Sequence, residues 1–345
     1  MSAAAWPLAV AFLIVLAASG LATGLVLQGL RRAAILDRPN ERSSHAIPTP
    51  RGGGLAIMAT TLPAWAVIAL AGYSDMRPLA AAAGAGVLAA VSWLDDRKGL
   101  TPGARLLVQA LCVAGGLAAL PGAGMVFQGW LPPSLDALAA GFLWLWFINL
   151  FNFMDGIDGI AGTESAAIAV GVALLAVPHL AAGGLGVGLL AIAVAASSLG
   201  FLWWNWQPAR LFMGDVGSVP LGYLLGWLLL MLAGAGLWAP ALILPLYFLA
   251  DATWTLLRRL LRGAKIWQAH REHFYQRAVQ AGRSHAAVVR RVLVADIVLV
   301  AAALWAAHGA VWPALVLAAA TVAVLLVDLS RPRKTPHLDE GHLDP

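Results

Sequence analysis

Long apolar runs, separated by short polar segments, follow one another along almost the whole chain. Eleven of them approach the roughly 20 residues that a helix needs to cross the hydrocarbon core of a bilayer. We therefore predict an all-α, polytopic helical membrane bundle of about eleven spans, with ten as the alternative because the third and fifth runs are short. The predicted spans are 6–30, 52–72, 78–94, 103–122, 136–151, 156–178, 182–203, 216–233, 238–257, 287–307 and 310–328.

Composition agrees with this class. Hydrophobic residues make up 61% of the chain and charged residues 11%, far from the usage of soluble proteins. No repeat or long linker divides the sequence, so we expect one transmembrane domain over 1–329 and a disordered cytoplasmic tail over 330–345. Cys112 is the only cysteine, which excludes a disulfide and a cysteine-based metal site.

The basic residues predict the orientation. If the N-terminus is external, all of the 22 Lys and Arg residues except Arg77 fall in cytoplasmic loops. The same bias explains the basic isoelectric point, so we expect contact with anionic membrane lipids and no nucleic-acid partner. The polar segments then share the cytoplasmic face, as a single active site would require; they are 37–54, 95–105, 149–162, 204–218 and 258–287.

The segment NLFNFMDGIDG carries a polar residue at every third position. Asn149, Asn152, Asp155 and Asp158 would lie on neighbouring turns of one helix face, where they suit a hard divalent cation or a ribose. The alternative is a helix C-cap followed by a tight turn, which the same residue types favour.

Two further carboxylate motifs lie at the ends of apolar runs. Asp95 and Asp96 are adjacent, and a pair of this kind stays ionised only beside a cation or basic groups, for example Mg²⁺. Asp215 lies between two glycines in FMGDVGS, where backbone amides can approach a phosphate, and Phe212 offers a flat face for a base. A solvated loop and a capped turn are the alternatives.

Two basic segments complete the candidate set. His270, His273 and Arg277 have the spacing of one helical face, and imidazole and guanidinium groups together suit a diphosphate. The HxxH spacing could also indicate a zinc site, but the sequence offers no obvious third ligand. A basic helix lying on the lipid surface is the alternative. The segment RSSHAIPTPRGGG, with His45 and Arg51, predicts a loop that wraps an anionic ligand or turns tightly at the headgroups.

Together and in this order, these motifs resemble the polyprenyl-phosphate N-acetylhexosamine-1-phosphate transferases of glycosyltransferase family 4. The resemblance covers roughly Asp37 to His285 and implies ten or eleven transmembrane helices around a cytoplasmic Mg²⁺-dependent site, with Mn²⁺ as a substitute. It implies that Asp95, Asp96 and Asp215 are the catalytic residues: Asp95 and Asp96 lie near the lipid phosphate and take part in its activation, and Asp215 binds the metal. It also implies that Phe212 stacks on uracil.

The resemblance also implies that Asn152, Asp155 and Asp158 line the nucleotide pocket, with Asn152 near the metal. His270 and His273 match a histidine-rich loop that generally reads HxHH or HHH and here reads HREH. This departure resembles an O-antigen-initiating subgroup and argues against a peptidoglycan pentapeptide substrate.

The implied reaction transfers an N-acetylhexosamine 1-phosphate from a UDP-sugar to undecaprenyl (polyprenyl) phosphate and releases UMP. The implied location is the bacterial cytoplasmic membrane, with membrane lipids as partners and a homodimer left open. A transporter or flippase and a CDP-alcohol phosphotransferase are the alternatives. The first would place ionisable groups near the midplane. The second would need an Arg after DGIDGIAGTE and a later Gly and two Asp residues at a spacing that this chain does not have.

Overall fold

The computed structural model describes residues 5–37, 47–120, 125–180, 183–265 and 270–331. Within these residues two short strands, β1 (Leu36–Asp37) and β2 (Thr49–Pro50), pair in antiparallel fashion. The helices are α1 Ala5–Arg32, α2 Gly54–Leu70, α3 Arg77–Lys98, α4 Pro102–Ala118, α5 Pro133–Phe153, α6 Ile160–His179, α7 Gly184–Asn205, α8 Asp215–Gly234, α9 Trp238–Ile243, α10 Leu246–Leu261, α11 Phe274–Gln280, α12 His285–Ala307 and α13 Val311–Ser330.

Every predicted span coincides with helical structure. Among the described residues, α1, α3, α5, α6, α7, α8 and α13 are long and apolar enough to cross a membrane, while α2 and α4 have 17 residues each. The chain is thus an all-α polytopic membrane protein, apart from the two-residue strands. The count of eleven spans and the single-domain assignment stay predictions, and most of the predicted tail, 332–345, lies outside the described residues.

Two predicted boundaries are wrong for local reasons. The predicted span 238–257 is interrupted between α9 and α10, where Pro245 has no N–H to donate to a continuing helix. The predicted span 156–178 begins only at Ile160, because Gly159 adopts φ +82°, a left-handed conformation that ends the preceding turn.

The most buried helices are α6, α7 and α8. In α8, 94% of the most apolar 18-residue window is buried, against 22% in α1 and in α13. Helix α8 therefore lies at the centre of the bundle with the other helices around it. Its first residue, Asp215, consequently lies at the centre of the polar end of the bundle.

Candidate active site

The glycine-rich segment before α2 is bonded directly to the segment before α8. The amides of Gly52 and Gly53 donate to the carbonyl of Phe212, and the Phe212 amide donates to the carbonyl of Pro50. The helix starts then touch, because a Cβ on Gly54 would lie 2.1 Å from the Cα of Gly217. Two motifs distant in sequence thus form one structural unit, and only glycine permits the approach.

This unit delivers Arg51 to two carboxylates. Its Nη2 lies 2.8 Å from Oδ1 of Asp215 and 3.0 Å from Oδ1 of Asp96. The guanidinium joins the C-terminal end of α3 to the first residue of α8. The two carboxylates and one guanidinium together carry a net negative charge. This charge favours the binding of a cation, and the ion pairs can rearrange when a charged ligand binds.

Asp95 faces a different way from Asp96. Its Oδ1 accepts from the Leu100 amide at 2.6 Å, and its Oδ2 lies 3.0 Å from Nη1 of Arg105. The same Arg105 nitrogen lies 4.0 Å from Oδ2 of Asp215. Asp95 therefore orders the turn between α3 and α4 and holds Arg105 beside the cluster. Arg105 was not among the predicted site residues, although its position at the start of an apolar span was a signal that could have found it.

The two asparagines lie near the end of α5 and connect it to its neighbours. Asn152 donates from Nδ2 to Oγ of Ser218 on α8, and Asn149 donates to Oε1 of Gln109 on α4, both at 2.8 Å. Gln109 and Ser218 were also missed; Gln109 is a polar residue within an apolar span, which is the signal that could have found it.

Several of these groups border a cleft with a volume of about 190 Å³, while Arg51 and Asp96 are not part of its lining. Apolar residues, among them Leu88 and Leu106, line its remaining wall. The polar residues around it come from α3, α4, α5 and α8: Asp95, Arg105, Gln109, Asn149, Asn152 and Asp215. In the cleft, a guanidinium, two carboxylates and several side-chain amides therefore lie next to an apolar surface.

The prediction that Asn149, Asn152, Asp155 and Asp158 share one helix face holds only for the asparagines. Helix α5 ends at Phe153, so both aspartates lie in the turn before α6. Asp158 accepts from the Ala209 amide at 3.1 Å, and its Oδ1 lies 3.2 Å from Nδ1 of His285. These contacts tie the turn to α12, and a role for Asp158 towards nucleotide stays a prediction.

Asp155 is electrostatically part of the cluster. Burial raises the pKa of its carboxyl well above the ordinary value; Arg51 opposes this shift, and the negative charges of Asp215 and Asp96 add to it. The buried carboxylate is therefore stabilised when it binds a proton or when a cation comes close to it. Asp155 is thus a candidate for a group whose charge changes when substrate binds.

The predicted face of His270, His273 and Arg277 is wrong. Helix α11 begins at Phe274, and His270 lies outside it. His273 is the N-cap, and its carbonyl accepts from the Arg277 amide at 2.9 Å, so only these two of the three residues share a turn. The two imidazoles stack with their centroids 4.9 Å apart. Burial, together with His273, lowers the pKa of His270 to about 4, so its imidazole is neutral at physiological pH.

His273 is directed inwards. It is 2% exposed, and its Nδ1 lies 3.1 Å from Oδ1 of Asp251 on α10. The adjacent Tyr275 donates its hydroxyl to the carbonyl of Phe153 at 3.0 Å and lies against Gly156. The segment from His270 to Gln280 therefore covers the turn that contains Asp155. Among the described residues, Arg277 makes no ion pair with the carboxylates of the cluster. His45 lies outside the described residues.

A fit to Mg²⁺ follows from the donor set. No group of three or more His, Cys, Asp or Glu side chains in the described ranges has the arrangement of a complete metal site. Mg²⁺, however, is commonly held by one or two carboxylates together with substrate phosphates. Asp215 and Asp96, which meet at Arg51, with Asn152 beside the cleft, match that type of set.

Comparison with known proteins identifies the family. The model of glycosyl transferase family 4 matches residues 78–233, from the second residue of α3 to the last but one of α8. The chain is similar to a Bacillus subtilis protein named probable undecaprenyl-phosphate N-acetylglucosaminyl 1-phosphate transferase, with 29% identity over 80% of this chain and 78% of that protein.

Two further relatives carry different names. The decaprenyl-phosphate N-acetylglucosaminephosphotransferase of Mycolicibacterium smegmatis is 30% identical over 76% of this chain and 73% of its own length. The phospho-N-acetylmuramoyl-pentapeptide-transferase of a Synechococcus species is 34% identical over 68% of this chain and 71% of its own length. Since these matches cover most of each protein and the matched helices enclose the cleft, the chain belongs to glycosyl transferase family 4, the polyprenyl-phosphate N-acetylhexosamine-1-phosphate transferase family.

Proposed function

We propose that the protein transfers an N-acetylhexosamine 1-phosphate from a UDP-sugar to undecaprenyl phosphate. The observation that carries this proposal is the junction of Arg51, Asp96 and Asp215, built by the pairing of two distant motifs beside the cleft. Family membership supports it, because the relatives' names describe polyprenyl-phosphate acceptors. The same membership leaves the transporter and CDP-alcohol phosphotransferase alternatives without support.

The reaction is a phosphoryl transfer. An oxygen of the lipid phosphate attacks the β-phosphorus of the donor, and the bond from that phosphorus to the oxygen shared with UMP breaks. UMP leaves with the bonding electron pair, so atoms and charge balance without a covalent enzyme intermediate. Such reactions need alignment and charge neutralisation more than they need a nucleophile from the protein.

The residues of the cleft are suited to those tasks. Arg105 and Arg51 would neutralise non-bridging phosphate oxygens, and Asp95 holds Arg105 in place through its 3.0 Å contact. Mg²⁺, or Mn²⁺ as a substitute, would neutralise the diphosphate when bound by Asp215 and Asn152. Asn149 would help position the donor, and Phe212 would stack on its base.

Exposed apolar side chains next to the cleft suit a lipid acceptor, and one of them, Leu106, also lines it. Leu94, Leu106 and Leu107 are large apolar side chains with exposed fractions of 46%, 48% and 61%. They lie at the ends of α3 and α4, beside Asp95 and Arg105. In a membrane these residues would contact acyl or prenyl chains, so a lipid phosphate could enter sideways while the soluble donor enters from water.

The finer assignments rest on sequence. The HREH loop favours an N-acetylhexosamine donor used in O-antigen-type lipopolysaccharide synthesis rather than a pentapeptide-bearing one. With the basic residues on the cytoplasmic side, the proposed location is the bacterial inner membrane with the cleft facing the cytoplasm. A homodimer stays a prediction.

The test is direct. Purified protein is incubated with undecaprenyl phosphate, Mg²⁺ and each of several UDP-N-acetylhexosamines, and UMP release and lipid-linked product are measured together. We expect both products in equal amounts with at least one donor, and neither product without the lipid phosphate. Release of UMP independent of the lipid, or no turnover with any UDP-sugar, would refute the proposal.

A further inference from the structure

A second polar pocket lies away from the carboxylate cluster, between the C-terminal half of α10 and α11. Its volume is about 290 Å³, at the lower end of the range for ligand pockets. Arginines dominate its lining: Arg258, Arg262, Arg271 and Arg277, together with Glu272 and Trp254. Four guanidinium groups around one small cavity repel one another unless an anion lies between them.

The single acid of this pocket is already engaged. Glu272 is bonded to Arg259, a mostly buried residue beneath the pocket, and lies 3.6 Å from Nη1 of Arg262. In the described part of the chain, Arg258 and Arg277 make no ion pair with a carboxylate. The guanidinium of Arg277 instead lies over the ring of Phe274, 5.9 Å from its centroid. The pocket therefore keeps a net positive charge.

The surroundings of the pocket identify the source of the anion. Trp254, which lines it, is 57% exposed, and Leu257 and Leu261 on the same helix are 47% and 80% exposed. Exposed tryptophan and leucine beside arginines at a helix end are typical of the membrane–water interface. Basic pockets at this depth between helices bind the headgroups of anionic lipids.

We propose that this pocket, lined by Arg258 and Arg277, binds the phosphate of an anionic phospholipid headgroup from the leaflet that surrounds the catalytic end of the bundle. The acyl chains would lie against the exposed apolar face of α10. The pocket is separate from the catalytic cleft, because the two share no lining residue. It gives Arg277 a ligand other than the donor diphosphate.

The experiment uses delipidated full-length protein in detergent and native mass spectrometry. Phosphatidylglycerol and phosphatidylcholine of equal chain length are titrated separately, and the double variant Arg258→Gln/Arg277→Gln is compared with wild type. We expect wild type to prefer phosphatidylglycerol, and the double variant to lose about fivefold in affinity per arginine removed. Arg290→Gln, which removes an exposed arginine at the start of α12 on the same end, should retain wild-type affinity.

A charge-preserving variant separates recognition from folding. Arg258→Lys/Arg277→Lys should keep most of the preference for phosphatidylglycerol even if the Gln variant is unstable. Three results would overturn the proposal: equal phosphatidylglycerol affinity in wild type and the Gln variant, an equal loss in Arg290→Gln, or loss of the preference in the Lys variant. Displacement of the lipid by glycerol 1-phosphate or UDP at equal concentration would also overturn it, since the pocket would then take a soluble phosphate.

Discussion

Asp215 is the residue on which the candidate site depends most, because both of its oxygens face arginines and it begins the central helix. Asp215→Asn keeps the shape of the side chain but removes its charge, so we expect transfer to fall by about 100-fold or more while the protein stays folded. UMP release at saturating Mg²⁺ and the thermal midpoint measure the two effects.

Asp328→Asn is the matched control for this prediction. Asp328 is also paired with two arginines, Arg283 and Arg291, but at the end of α13. Its replacement should leave turnover within about threefold of wild type. Retention of more than a tenth of wild-type activity in Asp215→Asn would contradict the assigned role.

The raised pKa of Asp155 makes a prediction about pH. A carboxyl whose pKa is raised on folding binds more protons in the folded than in the unfolded state, so its contribution to stability is largest below the ordinary aspartate pKa. That contribution declines as the pH rises towards the raised value. Wild type should therefore lose more thermal stability than Asp155→Asn between about pH 5 and about pH 7.5.

Thermal unfolding of the two proteins at both pH values measures this difference. If the midpoints of wild type and Asp155→Asn shift by the same amount, the carboxyl does not carry the excess proton. The affinity for the UDP-sugar donor gives a second measure. If Asp155 approaches the nucleotide, Asp155→Asn should weaken donor binding even where it stabilises the fold.

At the scale of elements, the contact between α2 and α8 sets the geometry of the cluster. Gly54→Ala would place a methyl group 2.1 Å from the Cα of Gly217, and backbone on both sides leaves no room for adjustment. We expect a loss of about 1–3 kcal/mol of stability together with reduced activity. Gly103→Ala in α4 is the control, because its new methyl group meets nothing within 4 Å.

Comparison of thermal midpoints and turnover in the two alanine variants tests this element. The Gly103 variant should be neutral or slightly stabilised, since alanine lowers the entropy of the unfolded chain. Equal behaviour of the two variants would show that the helices can separate without consequence for the site.

A carboxylate on α10 accepts hydrogen bonds from the start of the short helix α11. Asp251 accepts from Nδ1 of His273 and from the amides of Phe274 and Tyr275, at 3.1, 3.0 and 3.3 Å. Asp251→Ala should therefore increase hydrogen exchange in residues 270–280 by about 5- to 150-fold, the equivalent of about 1–3 kcal/mol of lost local stability.

A second carboxylate provides the control for α11. Asp136 accepts from the amides of Val126 and Phe127, at 3.0 and 2.8 Å. Asp136→Ala should raise exchange near those residues and leave 270–280 unchanged. Increased exchange across the whole chain in Asp251→Ala would indicate global destabilisation instead of the loss of a local cap.

For the whole molecule, the orientation is open to experiment. The distribution of basic residues predicts an external Met1 and a cytoplasmic Pro345. Reporter fusions at the two termini should report opposite sides of the membrane. The same side for both would mean that the number of spans is even, and the broken α9–α10 segment would be the first to re-examine.

The sequence predicts helices and motifs better than it predicts their partners. Hydropathy predicted the apolar helices, since burial in lipid requires continuous apolar sequence, while the number of spans stays a prediction. Composition could not show that Asp95 and Asp96 point to different arginines, or that His273 is directed at Asp251. Those contacts depend on packing between elements that are distant in sequence. The break at Pro245 depends on how the surrounding structure compensates for the backbone hydrogen bond that proline cannot donate.

The ion pair between Arg51 and Asp215 spans 164 residues, and this distance has a consequence for biosynthesis. At translation rates of about 5–20 residues per second, Arg51 leaves the ribosome roughly 10–30 seconds before its partner. During that interval six further helices, α2 to α7, are synthesised, while the arginine lacks Asp215 as its partner. The nascent chain therefore passes through a long stage in which the helices from α1 to α7 are already made, while the central helix and the reaction centre do not yet exist.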